Sequence, residues 1–296
     1  MNSAGLAPSD PTTPSERRAA EIAESYSHEP APGLPTQPDR RAAASIDHPL
    51  PPVDAALAAS TEPGPILASG ATADVFALDD LHVLRRYRSG GDASSEVHLL
   101  RHVVAHGFPA PAVLQASGPD LVMERLHGPT LLQALGAGEV SLSDAAGIMH
   151  DLHTRLHAIP APEGWGPNER EAWPQVSSGP VVVHLDLHPG NVFLTESHGP
   201  ALVDWANARA GTAELDVSLT ALIIAEVAVD AGGVYSQAAR ALLAAFLVAT
   251  DIDPLVALAE AAELRALDPS LVPGERELVP AAAVLVGDLV DVTAHP

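Results

Sequence analysis

The sequence predicts an α+β protein with two lobes, a small lobe built on an antiparallel sheet with one helix and a larger, mainly helical lobe. Short β-branched and aliphatic runs follow one another between about residues 66 and 125, with a single stretch of helical spacing among them. Stretches rich in Ala, Leu and Val with helical periodicity dominate the chain after residue 126. A cleft between two such lobes is a common place for a ligand to bind.

Residues 1–57 have neither pattern and are expected to form a disordered tail. Ten of the 28 prolines fall in the first 52 residues, among Ser, Thr, Ala and charged residues. Proline lacks a backbone donor, and this composition buries too little apolar surface to offset the entropy lost on ordering. A short helix near residues 16–26 is the single element expected there. The small lobe is then expected over residues 58–125 and the helical lobe over residues 126–296.

The small lobe is predicted to contain three strands, a helix and two further strands. Asp79 and Asp80 provide a turn between the second and third strands, and Gly107 ends the helix ahead of two prolines. The expected elements are two strands within 66–78, a strand at 81–87, a helix at 94–106, and strands at 113–116 and 121–125.

The larger lobe is predicted to be helical around a polar loop bordered by short strands. The helix at 142–159 places its apolar residues on one face, which is typical of a helix packed on a core. The expected helices lie at 130–135, 142–159, 213–230, 235–250, 254–266 and 277–292, and the expected short strands at 181–183, 192–194 and 201–203.

Composition excludes several classes of chemistry. The chain has no cysteine and no lysine, since all 15 basic residues of the Lys and Arg count are arginine. Disulfides, thiolate nucleophiles and Schiff-base lysines are therefore excluded, and a phosphate-binding cation must be Arg or His. A net charge of −23 disfavours nucleic acid and anionic lipid as partners, and no protein partner is indicated. Without a membrane-length apolar run or a secretion signal, a cytoplasmic protein is expected.

The densest polar cluster in an apolar setting follows the strand at 181–183, in the sequence His184-Leu-Asp-Leu-His-Pro-Gly-Asn191. Asp204 follows a second apolar run, 13 residues beyond Asn191. Phosphoryl transfer requires a carboxylate that orients the attacking hydroxyl, together with oxygen ligands for Mg²⁺. Asp186, Asn191 and Asp204 can supply these three groups.

Other interpretations of the same residues remain open. The first cluster could be a strand-end turn with satisfied polar groups, or His184, Asp186 and His188 could hold the metal of a hydrolase. Two histidine series at helical spacing could bind a metal or belong to ordinary helix surfaces. These series are His98, His102 and His106 on one helix, and His150, His153 and His157 on another.

The two motifs, His184 to Asn191 and Val203-Asp204-Trp205, resemble those of the aminoglycoside phosphotransferase and choline kinase-like family. The resemblance covers roughly residues 64 to 250. It implies a protein-kinase-like fold and transfer of a phosphate from a nucleotide, ATP or GTP, to a small-molecule hydroxyl with Mg²⁺.

The resemblance also implies roles for individual residues. Asp186 corresponds to the catalytic base, and Asn191 and Asp204 to the Mg²⁺ ligands. His184 is expected to buttress the loop, Trp205 to belong to the core, and Asp216 to anchor the helix after the Asp-Trp segment. The residues implied in nucleotide binding are Ser69 and Gly70 in a shortened nucleotide loop, Arg85 and its partner Glu96, and Glu124 and Leu126 in the hinge that receives adenine.

The position of Arg85 departs from the family pattern, which has lysine in the third strand. Arginine can bind two phosphate oxygens at once, but it is bulkier than lysine and its charge is delocalised. The expected function is therefore an active small-molecule kinase, and the alternative is a catalytically silent kinase-like protein that binds a nucleotide or another ligand.

The acceptor is not identified by the sequence, and aminoglycosides, macrolides, amino alcohols, sugars and homoserine-like metabolites all remain open. Residues 126–296 contain 22 acidic residues against six arginines, a net charge of −16. Such a lobe would attract a cationic acceptor, although the same charge could serve solubility alone. Glu226 and Asp230, one helical turn apart, are the candidate acceptor-binding residues.

Overall fold

The protein is described here by a computed structural model that covers residues 63–70, 72–88, 93–162, 179–230, 235–271 and 274–294. The expected tail at 1–57, with its short helix, lies outside the described residues. Within them, the fold class predicted from the sequence is confirmed: a small antiparallel sheet with one helix is followed by a mainly helical region.

The small lobe is a five-stranded antiparallel sheet with the strand order β1-β2-β3-β5-β4. The register places Arg85 opposite Val75 on one side and Leu121 on the other, while Arg86 is opposite Asp74 and Asp120. Because side chains alternate along a strand, Arg85 and Arg86 lie on opposite faces of the sheet. The elements are β1 (Ile66–Ser69), β2 (Ala73–Ala77), β3 (His82–Tyr87), α1 (Ser94–Ala105), β4 (Val113–Ser117) and β5 (Asp120–Glu124).

The larger lobe places two short antiparallel strand pairs next to a group of helices. Strand β6 pairs with β9, and β7 pairs with β8. The elements are α2 (Leu131–Ala137), α3 (Leu142–His157), β6 (Val181–Val183), β7 (Val192–Thr195), β8 (Gly199–Leu202), β9 (Arg209–Gly211), α4 (Ala213–Val229), α5 (Ser236–Ala249), α6 (Leu258–Ala266) and α7 (Val279–Ala294).

Two details of this lobe differ from the sequence-based prediction. The helix expected at 254–266 is divided into a short 3₁₀ turn, Pro254–Val256, and helix α6. The Asp253 side chain accepts a hydrogen bond from the Leu255 amide, which starts the turn ahead of the helix. Strand β9 was not predicted, because Arg-Ala-Gly carries no apolar alternation and is a strand only through its pairing with β6.

Helix α4 is the centre of the larger lobe. Most of its residues from Leu215 to Ala228 are buried, and it packs against α5, α6 and α7. A helix that is apolar on all sides is typical of a protein core. Its first turn begins at Thr212, whose hydroxyl accepts a hydrogen bond from the Leu215 amide. One apolar core continues from the inner face of the sheet, through α1, to these helices.

In the part of the chain that the structure describes, no helix combines the length and the hydropathy needed to cross a membrane.

Candidate active site

The loop at 184–191 leaves strand β6 in an unusual backbone conformation. Leu185 has φ 61°, in the left-handed region that non-glycine residues rarely adopt. The Asp216 carboxylate, at the start of α4, accepts hydrogen bonds from the Leu185 amide at 2.8 Å and the His184 amide at 3.1 Å. These two bonds hold the strained conformation in place. The sequence-based expectation made Asp216 the anchor of a helix, and the contacts show that it fixes this loop to that helix.

Asp216 is kept ionised although it is fully buried. Burial alone would raise the pKa of its carboxyl, but the hydrogen bond from His157 at 2.9 Å, the neighbouring histidines and the Leu185 amide lower the pKa well below its ordinary value. The expected packing helix therefore also carries a polar function, since His157 on α3 completes the shell of donors around this carboxylate.

His184 connects the 184–191 loop to the segment that contains Asp204. Its Nε2 lies 3.1 Å from the Val203 carbonyl oxygen, so this nitrogen carries the proton in the neutral ring. The ring also meets Trp205 edge to face, with centroids 4.9 Å apart. Burial lowers the pKa of His184, which favours the neutral form. This agrees with the expected buttressing role, and the burial of Trp205 agrees with its expected place in the core.

Asp186 and Asn191 lie together at the end of the loop. The Asn191 amide nitrogen donates to the Asp186 carbonyl oxygen at 2.9 Å and to Asp186 Oδ2 at 3.2 Å. His188 accepts a hydrogen bond at Nδ1 from the Gly190 amide, and its Nε2 lies 3.8 Å from Asp186 Oδ1. Because Nδ1 accepts, the neutral His188 ring presents its N–H to the side of Asp186.

Three charged residues from distant parts of the chain meet above this loop. Arg85 of β3 donates from Nη2 to Asp204 Oδ1 at 2.8 Å, and its Nε lies 3.6 Å from Glu96 Oε2 of helix α1. The buried Glu96 carboxylate also accepts a hydrogen bond from the Tyr87 hydroxyl. Burial alone would lower the pKa of Arg85, but Glu96 and Asp204 outweigh it and raise the pKa. The buried arginine thus remains charged between these two carboxylates.

Asp204 itself is held by the same contact. Burial would raise the pKa of its carboxyl, and the charge and hydrogen bond of Arg85 reverse this and lower it. Its backbone lies in the left-handed region, with φ 62°. The structure therefore brings Arg85, Glu96 and Asp204 together, as the sequence-based hypothesis requires, with Asp186 and Asn191 on the loop that His184 ties to the Asp204 segment.

Ser69 is placed differently from its expected role. Its hydroxyl donates to Asp74 Oδ1 at 2.6 Å, and it also accepts from Arg88, an exposed residue that the sequence analysis did not single out. Ser69 is opposite Asp74 in the register, and Asp74 shares a sheet face with Arg86, so this face is the one opposite to Arg85. The Ser69 side chain is thus turned away from the cleft.

Gly70, the second expected residue of the nucleotide loop, bonds within the turn. Its amide donates to the Ala73 carbonyl oxygen at 2.9 Å, which closes the β1–β2 connection. Ala71 lies outside the described residues.

The two hinge residues differ in their contacts. Glu124 joins the two lobes, whereas the backbone of Leu126 makes no hydrogen bond to another described residue. Glu124 accepts hydrogen bonds from the Ala112 amide and from His198, at 3.2 and 2.7 Å, and this second contact raises the pKa of His198. His198, in the β7–β8 turn, has no local sequence signal that would predict this contact. Within the described residues, the backbone amide and carbonyl of Leu126 make no hydrogen bond, whereas the Arg125 amide donates to Leu81.

A cavity of about 500 Å³ lies beside Asp186, between α2, α4 and α5. We call it the Asp186 cavity. Glu226 lines it, as expected for an acceptor-binding residue, but its carboxylate is paired with Arg265 of α6 through contacts of 3.0 to 3.2 Å. Arg265 also donates to Asp268 at 3.0 Å. Asp230, the other candidate, ends helix α4 and is not among the residues that line this cavity.

Of the histidines considered as metal ligands, His102 and His106 are engaged with backbone carbonyl groups, and part of the second series lies close together. His102 and His106 each lie 2.8 Å from a backbone carbonyl oxygen, of Pro160 and His102 respectively. Among the described residues, one group of possible ligands converges, His153, His157 and Asp216, with ligand atoms within 4.8 Å of one another. It does not contain His184 and His188, which the hydrolase interpretation requires.

Comparison with known proteins identifies a family that covers most of the described chain. Residues 64–179 and 168–254, together more than half of the chain, match the model of the phosphotransferase enzyme family, APH. No curated protein matches the chain.

Similar solved structures include two aminoglycoside phosphotransferases and one other kinase. The gentamicin complex of APH(2'')-IIa is 15% identical, covers 81% of this chain and 93% of its own, and has a TM-score of 0.49. ADP-bound APH(2'')-Ib is 15% identical, with coverages of 80% and 99% and a TM-score of 0.47. The amicoumacin kinase hAmiN, in complex with AMP-PNP, Ca²⁺ and Ami, is 15% identical, with coverages of 79% and 90% and a TM-score of 0.43.

Proposed function

Because the chain belongs to the phosphotransferase enzyme family, we propose that it transfers the γ-phosphate of ATP to a hydroxyl group of a small molecule. The observation that carries this proposal is the meeting of Arg85, Glu96 and Asp204 above the 184–191 loop. Two carboxylates on one buried arginine provide the cation and the acidic group that binding of a metal and a phosphate requires. The nucleotide would lie between the small lobe, 58–125, and the larger lobe, 126–296.

The side chains of Asp204 and Asn191 fit a magnesium ion. The Asn191 amide nitrogen is used by Asp186, which leaves its carbonyl oxygen as the atom available for a cation. A carboxylate and an amide oxygen are the hard ligands that Mg²⁺ prefers. When bound there, Mg²⁺ would neutralise phosphate charge and orient the transferred group.

The remaining roles follow from the positions of the protein groups. Asp186 accepts the proton of the acceptor hydroxyl. The hydroxyl oxygen bonds to the γ-phosphorus, and the bond from that phosphorus to the ADP oxygen breaks. Arg85, held by Glu96, supplies positive charge to the phosphates. Leu126, whose backbone makes no hydrogen bond to another described residue, would offer it to the base of the nucleotide, a contact that suits ATP or GTP.

The first test replaces Asp186 with alanine. Loss of a general base typically lowers turnover by about 10²- to 10⁴-fold. We expect a loss of this size in ADP release across a panel of hydroxyl compounds, with ATP affinity changed by less than about threefold. Asp251→Ala, at an exposed side chain, is the matched control and should leave both quantities unchanged. Equal turnover in wild type and Asp186→Ala would show that this mechanism is wrong.

A second candidate function, a catalytically silent nucleotide- or ligand-binding protein, is favoured by the direct Arg85–Asp204 hydrogen bond. This bond occupies one oxygen of the Asp204 carboxylate, the group that would otherwise bind Mg²⁺. If the protein is an enzyme, Mg²⁺ with ATP must compete with Arg85 for Asp204.

Arg85 variants separate the two functions. In an active kinase, Arg85→Ala should lower turnover by about 10²-fold, and Arg85→Lys should retain most of it, because lysine keeps a phosphate-binding charge. Thermal shift with ATP and Mg²⁺ provides the binding readout. Binding of ATP without turnover by either wild type or Arg85→Lys would support the silent protein.

A further inference from the structure

The walls of the Asp186 cavity differ in character from the larger lobe as a whole. The larger lobe has a net charge of −16, which suggests a cationic acceptor. Yet the cavity beside the proposed catalytic carboxylate is lined mainly by aliphatic side chains from three helices. Among them are Leu132 and Leu135 of α2, Ile223 and Val227 of α4, and Leu242 of α5.

Three of the polar residues of the cavity form one group with Asp186, namely His188, Arg265 and Glu226. His188 Nε2 is 3.8 Å from Asp186, and Arg265 lies within electrostatic range of the same carboxylate. Glu226 is joined to Arg265 by the contacts described above. One end of the cavity is therefore polar and the body of the cavity is apolar. The polar lining residues are Gln133, Asp186, His188, Glu226, Tyr235, Arg265 and Glu275.

Glu226 is a poor receptor for a cationic ligand because its charge is already compensated. Both of its oxygens accept hydrogen bonds from Arg265, and the two side chains are almost completely buried. A ligand ammonium group that took over Glu226 would leave a buried guanidinium with a weakened pair, which is costly. A polycation would also have to place its other charges against leucine, isoleucine and valine side chains.

We propose that the acceptor is a mainly apolar alcohol. Its hydroxyl would reach Asp186 at the polar end, and its hydrocarbon body would fill the space between α2, α4 and α5. A volume of about 500 Å³ is within the usual range for the site of a drug-sized molecule, and burial of such a body supplies binding energy in proportion to its area. This inference rests on the proposed function for the transfer step, but the class of ligand can be measured without it.

The test measures binding in the absence of nucleotide, with farnesol as a neutral, mainly apolar alcohol and kanamycin as a polycation. We expect calorimetry to detect farnesol binding and to detect none, or a much weaker one, for kanamycin. Val227→Asp should weaken farnesol binding by at least roughly tenfold, because it places a charge in the apolar wall.

Two further variants complete the design. Val140→Asp changes the cavity wall outside helix α4, and it keeps the test decisive if Val227→Asp does not fold. Val248→Asp is the matched control on the exposed surface of α5, where the side chain is 72% exposed, and it should not affect binding. Absence of farnesol binding, equal binding by all variants, or tighter binding of kanamycin than of farnesol would overturn the proposal.

Separate readouts distinguish this inference from the proposed function. Affinity for ATP with Mg²⁺ and ADP release are measured on the same samples. Farnesol binding that depends on Val227, without any nucleotide binding, would support the ligand class and contradict the phosphotransferase. Phosphorylation of kanamycin but not of farnesol would support the phosphotransferase and contradict the ligand class.

Discussion

The 184–191 loop and the β1–β2 connection both border the proposed nucleotide cleft, but they are held in different ways. In the loop, the left-handed backbone of Leu185 is fixed by the buried Asp216, which in turn binds His157. In the β1–β2 connection, Ser69 and Asp74 are engaged with the exposed Arg88 on the outer face of the sheet.

This difference separates the two halves of the proposed reaction. The residues that would position the hydroxyl and the metal lie on a loop whose conformation is determined by buried charges and hydrogen bonds within the protein. The β1–β2 connection has no buried polar contact among its described residues that would fix a phosphate site. Exposed ion pairs of this kind contribute little to stability.

The role of buried charge in holding the 184–191 loop is tested most directly at Asp216. Asp216→Asn removes the charge that His157 faces and replaces one acceptor oxygen with an NH₂ group that cannot accept from a backbone amide. Breaking a buried charged network of this kind typically costs about 3–5 kcal/mol. We expect a decrease of this order in the free energy of unfolding, measured by urea denaturation, together with loss of phosphotransfer.

Asp251→Asn is the matched control for this loss. The Asp251 side chain is 95% exposed and lies 3.9 Å from His150, so its removal should change the free energy of unfolding by less than about 0.5 kcal/mol. A cost below about 1 kcal/mol for Asp216→Asn would mean that the loop keeps its conformation without this carboxylate.

The elements and their order were predictable from the sequence because they depend on local patterns. Apolar alternation and helical periodicity placed β3, α1 and α3 to within a few residues, and the position of Arg85 in β3 determined which face of the sheet it occupies. The convergence of Arg85, Glu96 and Asp204 was predictable only through the family resemblance, since no local pattern relates residues 119 positions apart.

Contacts between distant side chains were the part that the sequence could not predict. Glu226 and Arg265 are 39 positions apart, and Glu124 and His198 are 74 apart, with no periodicity linking either pair. The expectation of a cationic acceptor rests on total charge, and the proposed apolar acceptor rests on the local lining of one cavity. A net charge of −16 is a sum over the whole lobe, whereas the Asp186 cavity is mainly apolar and its glutamate at position 226 is paired.

A decrease in pH also tests how the loop is held, because it protonates a histidine in the buried network around the loop. Burial lowers the pKa of His153 to about 4, below its ordinary value of 6.5. The unfolded chain therefore takes up a proton at this residue as the pH falls below 6.5, while the folded protein does not until about pH 4. The contribution of His153 to the free energy of unfolding is therefore complete above pH 6.5 and decreases as the pH falls from 6.5 to 4.

His153→Leu should remove this contribution. Between pH 7 and pH 5 we expect the wild type to lose on the order of 2 kcal/mol more than the variant, which follows from the size of the pKa difference. Urea denaturation at the two pH values provides the measurement. An identical pH dependence in both proteins would show that His153 does not carry the effect.

The smallest effect is expected at Ser69, which ends strand β1 next to the β1–β2 connection. Its hydroxyl contacts Asp74 and Arg88 on the sheet face opposite to Arg85, so Ser69→Ala should leave the nucleotide cleft unchanged. We expect the KM for ATP to change by less than about twofold. The free energy of unfolding should change by less than about 0.5 kcal/mol, as for most surface substitutions.

Asp74→Ala, which removes the partner of both Ser69 and Arg88 on the same face, should behave in the same way. A tenfold rise in the KM for ATP in either variant would show that this face of the hairpin takes part in nucleotide binding, and that the β1–β2 connection rearranges when the nucleotide enters.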